Sequence, residues 1–240
     1  MGMFGDPDLP QREGVQLRTA WADALGTVPS ALEGTGITRV ERPDLDAVIT
    51  VTLGRATVIA APPSATAALA ALPLAALHDA DTIAAVLPGA RTIGTAHLLF
   101  TGTRPPHPRH PVVEAGSLDV ASVGAALPED EWAEAGVQEM EHRWVVRGEE
   151  DADGQGSDDA VAIAGYQRWH GTVAHVGVAA APAQRGQGFA FSAASAAIGA
   201  AIDAGLVAQW RGRVGNAGSL RLAERLGFTR LGLQSAVALS

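Results

Sequence analysis

The sequence predicts a mixed fold of the α/β class, α+β in kind, with strands and helices built around a mixed sheet. Two observations predict it. Apolar runs of strand length, rich in β-branched residues, alternate along the chain with alanine- and leucine-rich stretches of helical composition. A single proline-rich break at 103–111, TRPPHPRHP, then divides the chain into two parts. The 240 residues suit one large domain or two small ones, and either can bury a core. We expect a small α/β domain over 1–110, with no role assigned to it, and a second domain over 111–240.

The elements follow in order. DAVITVTLG and RATVIAAP form a hairpin about Gly54 and Arg55. Residues 63–87 are helical in composition, broken at Pro73, and TAHLLFTG is the next strand. After the proline break, LPEDEWAEAGVQEMEHR has a helical pattern. Its acidic start complements the helix dipole, and His142 and Arg143 are placed at its end. WVVRG and AVAIAGYQRWHG are strands around a polar loop, EEDADGQGSDD, and TVAHVGVAAAP is the strand that follows. GFAFSAASAAIGAAIDAGL reads as a helix apolar on nearly every side, hence buried, with Gly205 as its stop. VAQWRGRV is a strand. NAGSLRLAERLG is a short helix capped by Asn216 and stopped by Gly227, with Ser219, Leu222, Ala223 and Leu226 on one face. FTRLGLQSAVAL completes the sheet, and no internal repeat is visible.

Composition narrows the function classes. Hydrophobic residues make up 47% of the chain, so a packed core is expected. No apolar run reaches membrane-spanning length, and the N-terminus lacks a basic segment followed by an apolar one, so neither a span nor a secretory leader is expected. The absence of cysteine excludes disulfides, thiolate metal sites and a cysteine nucleophile, and it fits a cytoplasmic protein. A net charge of −9 disfavours binding to nucleic acid and tolerates a cationic substrate such as an amine.

One stretch carries chemistry: AAAPAQRGQGFA, 179–190. The order there is strand, glycine-rich turn, buried helix. A helix start leaves N–H groups unpaired and carries partial positive charge, and glycines remove the Cβ atoms that would hold a ligand away from it. The turn is suited to an anion, most naturally a phosphate or diphosphate, and Arg185 adds a charged donor. It is no P-loop, since no Gly-Lys-Ser/Thr follows, and it lacks the third glycine and acidic residue of the dinucleotide fingerprint.

Arg185-Gly186-Gln187-Gly188-Phe189-Ala190 resembles the Arg/Gln-x-x-Gly-x-Gly/Ala signature of the GCN5-related N-acetyltransferases (GNAT). Val178-Ala179-Ala180-x-Pro182 resembles the strand end before it. Asn216-x-x-Ser219 followed by Leu226-Gly227-Phe228 resembles the family's second signature helix. The resemblance covers roughly residues 113–240 and implies a GNAT fold in the C-terminal half. It implies acetyl-CoA as cosubstrate, no metal, and an amine acceptor on a small molecule or peptide. Carried-over coenzyme positions are Val178, Ala179, Ala180, Arg185, Gly186, Gln187, Gly188, Phe189, Ala190 and Asn216. The hairpin, helix and strand of the N-terminal part also permit a degenerate GNAT-like copy. That part has no Arg-x-x-Gly-x-Gly turn, so one coenzyme site per chain is expected.

The resemblance also implies a strand N–H near Val178 for the thioester carbonyl, and a tyrosine acid seven residues after the asparagine. Ala223 stands at that position. The only tyrosine is Tyr166, which alternation puts on one strand face with Ala164 and Arg168. Tyr166 and Ser219 are the candidate acids, against plain packing for the first and a helix-cap partner for the second. Glu139, Glu141, His142, His170 and His175 are candidate bases. His175 is preferred for its place on the strand expected beside the acetyl group, with its ordinary titration range in its favour; a structural histidine and an ordered water are the competing readings. Trp132, Trp169 and Trp210 are candidates for an acceptor pocket, with core packing favoured for Trp210. The missing acid keeps open a second function, a non-catalytic acyl-CoA sensor or interaction module.

Three further patterns are set aside. DADGQGSDDAVA has a calcium-loop spacing at Asp151, Asp153, Gly156 and Asp159, but Ala162 stands where a bidentate Glu is required. His107 and His110 are separated by prolines that prevent a shared helical turn. No Gly-x-Ser-x-Gly elbow anchors a hydrolase triad.

Overall fold

The computed structural model describes residues 10–148 and 159–239. Most of the calcium-like pattern, including Asp151, Asp153 and Gly156, and most of the polar loop at 149–159 lie outside the described residues, as does the extreme N-terminus.

Along the chain the elements are helix α1 (Gln11–Leu25), strands β1 (Thr35–Glu41), β2 (Ala47–Leu53) and β3 (Arg55–Ala61), and helices α2 (Pro63–Ala70) and α3 (Ala80–Ala85). Strand β4 (Arg91–Thr101), short strand β5 (Val113–Glu114), helices α4 (Ser117–Ala125) and α5 (Glu129–Ala135), and strands β6 (His142–Arg147), β7 (Ala160–Trp169) and β8 (Val173–Ala180) come next. Helix α6 (Phe189–Asp203), strand β9 (Val207–Arg213), helix α7 (Ala217–Arg225) and strand β10 (Thr229–Ala238) close the chain. The fold is mixed α+β, as expected.

The chain forms two compact units. The first comprises Met1–Phe100, Arg211–Arg221 and Thr229–Ser240; the second, Thr101–Trp210 and Leu222–Phe228.

In the first unit the strand order is β1-β3-β2-β10-β4. The hairpin of β2 and β3 turns at Gly54, as expected, and β1 joins β3 in parallel. Strand β10 runs antiparallel to both β2 and β4. Pro73 breaks the helical stretch: α2 stops at Ala70, and a 3-10 turn, Leu74–His78, leads into α3. Asp79 caps α3 by accepting from the Asp81 N–H. Val48, Ile59, Leu69, Leu77, Ile83 and Val237 fill the core beneath these helices.

In the second unit the order is β9-β8-β7-β6-β5, antiparallel except for the parallel pair β8 and β9. One expectation needs correction here. The helix in LPEDEWAEAGVQEMEHR ends at Ala135, because Gly136 takes a left-handed conformation (φ 62°). A 3-10 turn, Val137–Glu139, follows, and His142 and Arg143 begin β6 instead of closing a helix. The helical pattern was read across a glycine stop. Helix α6 packs on β6, β7 and β8. Phe191, Ala193, Ala194, Ala197, Ile198 and Ala201 are among its buried residues, which bears out a helix apolar on nearly all sides. On the opposite face Gly165 and Gly177 allow close approach: a Cβ on Gly177 would lie 2.2 Å from the Ala135 carbonyl oxygen.

Candidate functional site

Strand β8 changes character half-way along. Its parallel ladder with β9 runs from Val173↔Val207 to Val176↔Trp210 and stops there, while its antiparallel ladder with β7 continues to Ala180. The Ala181 N–H donates to the Val161 carbonyl at 2.9 Å, which fixes the alternation: Gly177, Ala179 and Ala181 turn their main-chain groups toward β7. Val178 and Ala180 turn theirs the other way, where no ladder continues. The Val178 N–H and C=O thus have no partner among the described residues. The Ala180 carbonyl accepts a bond from Arg185 Nε at 3.3 Å.

Past Ala180 the chain makes one 3-10 turn, Pro182–Gln184, and reaches the glycines. Gly186 has φ 83° and Gly188, the N-cap of α6, φ 92°, both in the region that disfavours any side chain. A Cβ on Gly186 would meet nothing within 4 Å, so the space above that turn is open. No side chain caps α6. Its first N–H groups therefore stand without an intrahelical partner, at the positive end of the helix dipole. The Gln187 side chain donates to Gln184 Oε1 at 2.9 Å, which braces the turn from within. Phe189 is buried. Arg185, expected to add a charge here, holds Glu131 of α5 instead, Nη2 to Oε2 at 2.5 Å, with both side chains about half exposed.

The catalytic candidates separate. Tyr166 on β7 lies opposite Val176 on β8 and His142 on β6, so its side chain shares a face with those of Val178 and Ala180. It is 4% exposed, and its ring stacks 5.9 Å from Trp144 and lies 4.9 Å from the His142 ring. Burial pushes the phenol above its ordinary value of 10; Arg168 opposes this and Glu141 adds to it. His175 pairs in register with Gln167 and Gln209 and points to the opposite face from Tyr166. The structure therefore does not bring His175 and Tyr166 together. Asn216 and Ser219 belong to the segment that groups with the first unit, where Asn216 Oδ1 accepts from the Ser219 N–H at 3.0 Å. Asn216 is thus the cap of α7, as expected. Ala223, at the position where the resemblance has its tyrosine, is fully buried.

Of the remaining candidates, Glu139 and Glu141 are exposed. His170 holds a left-handed position (φ 44°) in the β7–β8 turn, against Trp169. Trp132 packs against Gly124 of α4, and Trp210 is buried edge-on to Phe228, so both serve the core. Sequence reasoning missed Trp144, although alternation from His142 places it on the Tyr166 face. It also missed His110, whose Nε2 lies 3.2 Å from the Gln187 carbonyl and whose ring packs 4.5 Å from Phe189. His110 is 77 residues from that turn along the chain, and no local pattern signals such a contact.

The geometry defines an α+β unit in which a strand with an open edge runs through a glycine turn into a buried, uncapped helix. Residues 157–233 match the family model described as GNAT acetyltransferase. Among solved structures, the chain is similar to a putative GNAT-family acetyltransferase from Novosphingobium aromaticivorans: 27% identity over 64% of this chain and 69% of that one, TM-score 0.47. It is also similar to a GCN5-related N-acetyltransferase from Kribbella flavida (20% identity, 62% and 60%, 0.45). A GCN5-related N-acetyltransferase-like protein from Streptococcus suis is a third (19% identity, 67% and 67%, 0.47). No curated protein matches the chain. Among the described residues no helix is long and apolar enough to cross a membrane, and no cluster of His, Cys, Asp and Glu side chains is arranged to hold a metal ion.

Proposed function

We propose that the protein transfers an acetyl group from acetyl-CoA to an amine, by direct attack in a ternary complex without a covalent enzyme intermediate. The observation that carries this reading is the junction of β8 and α6. Unpaired Val178 main-chain groups lead into a turn opened by Gly186 and Gly188 and an uncapped helix start, inside the segment that matches the acetyltransferase family model. The main-chain donors at 186–190 suit the coenzyme diphosphate, and the open edge at Val178 and Ala180 suits its amide-bearing arm.

The chemistry follows from the same geometry. The Val178 N–H donates to the thioester carbonyl oxygen as charge develops there. The neutral amine nitrogen attacks the carbonyl carbon; the C–N bond forms and the C–S bond breaks. The Tyr166 hydroxyl, protonated at neutral pH, gives its proton to the leaving sulfur. The proton lost by the amine passes to water or to an imidazole. His142 lies on the Tyr166 face, whereas His175 reaches only substrate on the other face.

A second reading, an acyl-CoA-binding module without turnover, is favoured by the burial of Ala223 at the position of the usual acid. Calorimetry with CoA, together with thiol release from acetyl-CoA across a panel of amines, separates the two. Release with any amine supports the transferase, and binding without release supports the module. If CoA does not bind, both readings fail.

A further inference from the structure

Two cations beside the helix start are held against one aromatic ring, with no counter-ion among the described residues. The Arg109 guanidinium lies 5.5 Å from the centroid of the Phe191 ring, and that of Arg225 lies 5.3 Å from the same ring. Phe191 sits in the first turn of α6 and is only 4% exposed, so the ring is a fixed platform. Arg109 is fixed from its main chain as well, since the N–H groups of Arg109 and His110 both donate to the buried Ser192 hydroxyl, at 3.0 and 3.1 Å. In this acidic chain Arg18, Arg42, Arg104, Arg147 and Arg185 each hold a carboxylate. Arg109 and Arg225 hold none among the described residues, and both are exposed.

We infer that Arg109 and Arg225 form a phosphate-monoester site, distinct from the main-chain cradle at 186–190, that binds the 3′-phosphate on the ribose of CoA. The inference rests on the coenzyme reading above. A CoA thioester carries two separated anionic groups, its diphosphate and this monoester. The glycine turn offers neutral N–H donors, which suit the first. Guanidinium groups bind a phosphate monoester through charge-assisted, geometrically matched hydrogen bonds, and an aromatic platform orients them without neutralising them. The proline-rich stretch at 103–111, which carries Arg109, thereby becomes part of the coenzyme site.

The test compares CoA with 3′-dephospho-CoA by calorimetry on the full chain and on Arg109→Gln, Arg225→Gln and the double variant. The wild type is expected to bind CoA at least about tenfold more tightly than 3′-dephospho-CoA. Each single variant narrows that gap and the double variant closes it, while the affinity for 3′-dephospho-CoA stays unchanged, which also shows that the variants are folded. Equal binding of both ligands by the wild type, or a gap that survives in the double variant, overturns the inference and leaves the coenzyme reading standing. If the wild type binds neither ligand, the coenzyme reading falls and the inference with it.

Discussion

Tyr166 is the chain's single tyrosine, so its ionisation can be followed alone by phenolate absorbance. Burial against Trp144 and His142 raises its pKa, and the titration midpoint is expected above 10; a midpoint at or below 10 would show that the ring is not desolvated as this packing implies. The sign follows from which form is neutral. The protonated phenol is the one the fold favours, so the associated stability is complete below the unfolded-state value and is lost as pH rises through the folded-state value. Across neutral pH the residue remains a proton donor. Tyr166→Phe keeps the packing and removes only the hydroxyl, so we expect kcat to fall about 100-fold with coenzyme affinity unchanged. Steady-state kinetics alongside direct CoA binding checks this, and a variant with full kcat excludes Tyr166 as the acid.

The junction of β8 and α6 was legible in the sequence because its signals are local. A β-branched run, a proline, two glycines and an alanine-rich stretch each restrict the backbone where they stand, and Gly186 and Gly188 adopt the left-handed conformations that only glycine accepts readily. The helix ending at Ala135 was read too long because its apolar pattern continues past Gly136 while its backbone does not. The face-sharing of Tyr166 with Trp144 and His142 was half legible: alternation was readable on each strand, but the register between β6 and β7 was not. Gly186→Ala tests the junction itself. The positive φ costs about 1–2 kcal/mol, a loss of a few degrees in Tm for a chain of this size. The new Cβ enters space where the protein places no atom within 4 Å, so CoA affinity is expected to drop at least about tenfold, beyond what the modest stability change explains. Thermal unfolding and calorimetry on one preparation separate the two effects, and unchanged CoA affinity would show that the turn does not touch the coenzyme.

At the scale of the whole chain, the last strand is the feature local reading could not place. FTRLGLQSAVAL is recognisable as a strand, but nothing in it indicates that β10 inserts between β2 and β4, which lie far upstream. Such a pairing is specified by edge complementarity over long sequence distance, and the loop closure it demands leaves no periodic trace in the sequence. It also makes the first unit depend on the C-terminus. Leu231, Leu233 and Val237 on β10 are nearly fully buried, and Gly232 approaches the Thr52 carbonyl so closely that a Cβ there would sit 2.1 Å away. Burying each of those three side chains stabilises the fold by about 1.5–3 kcal/mol, and losing the strand also strips hydrogen-bond partners from β2 and β4. Against a usual net stability of about 5–15 kcal/mol, a chain stopped after Phe228 is expected to leave the first unit unfolded or aggregating through two bared strand edges. Circular dichroism and size-exclusion chromatography of that truncation read the outcome. A monomeric product with native-like strand content and an unchanged Tm would mean that β10 is dispensable to the sheet it joins.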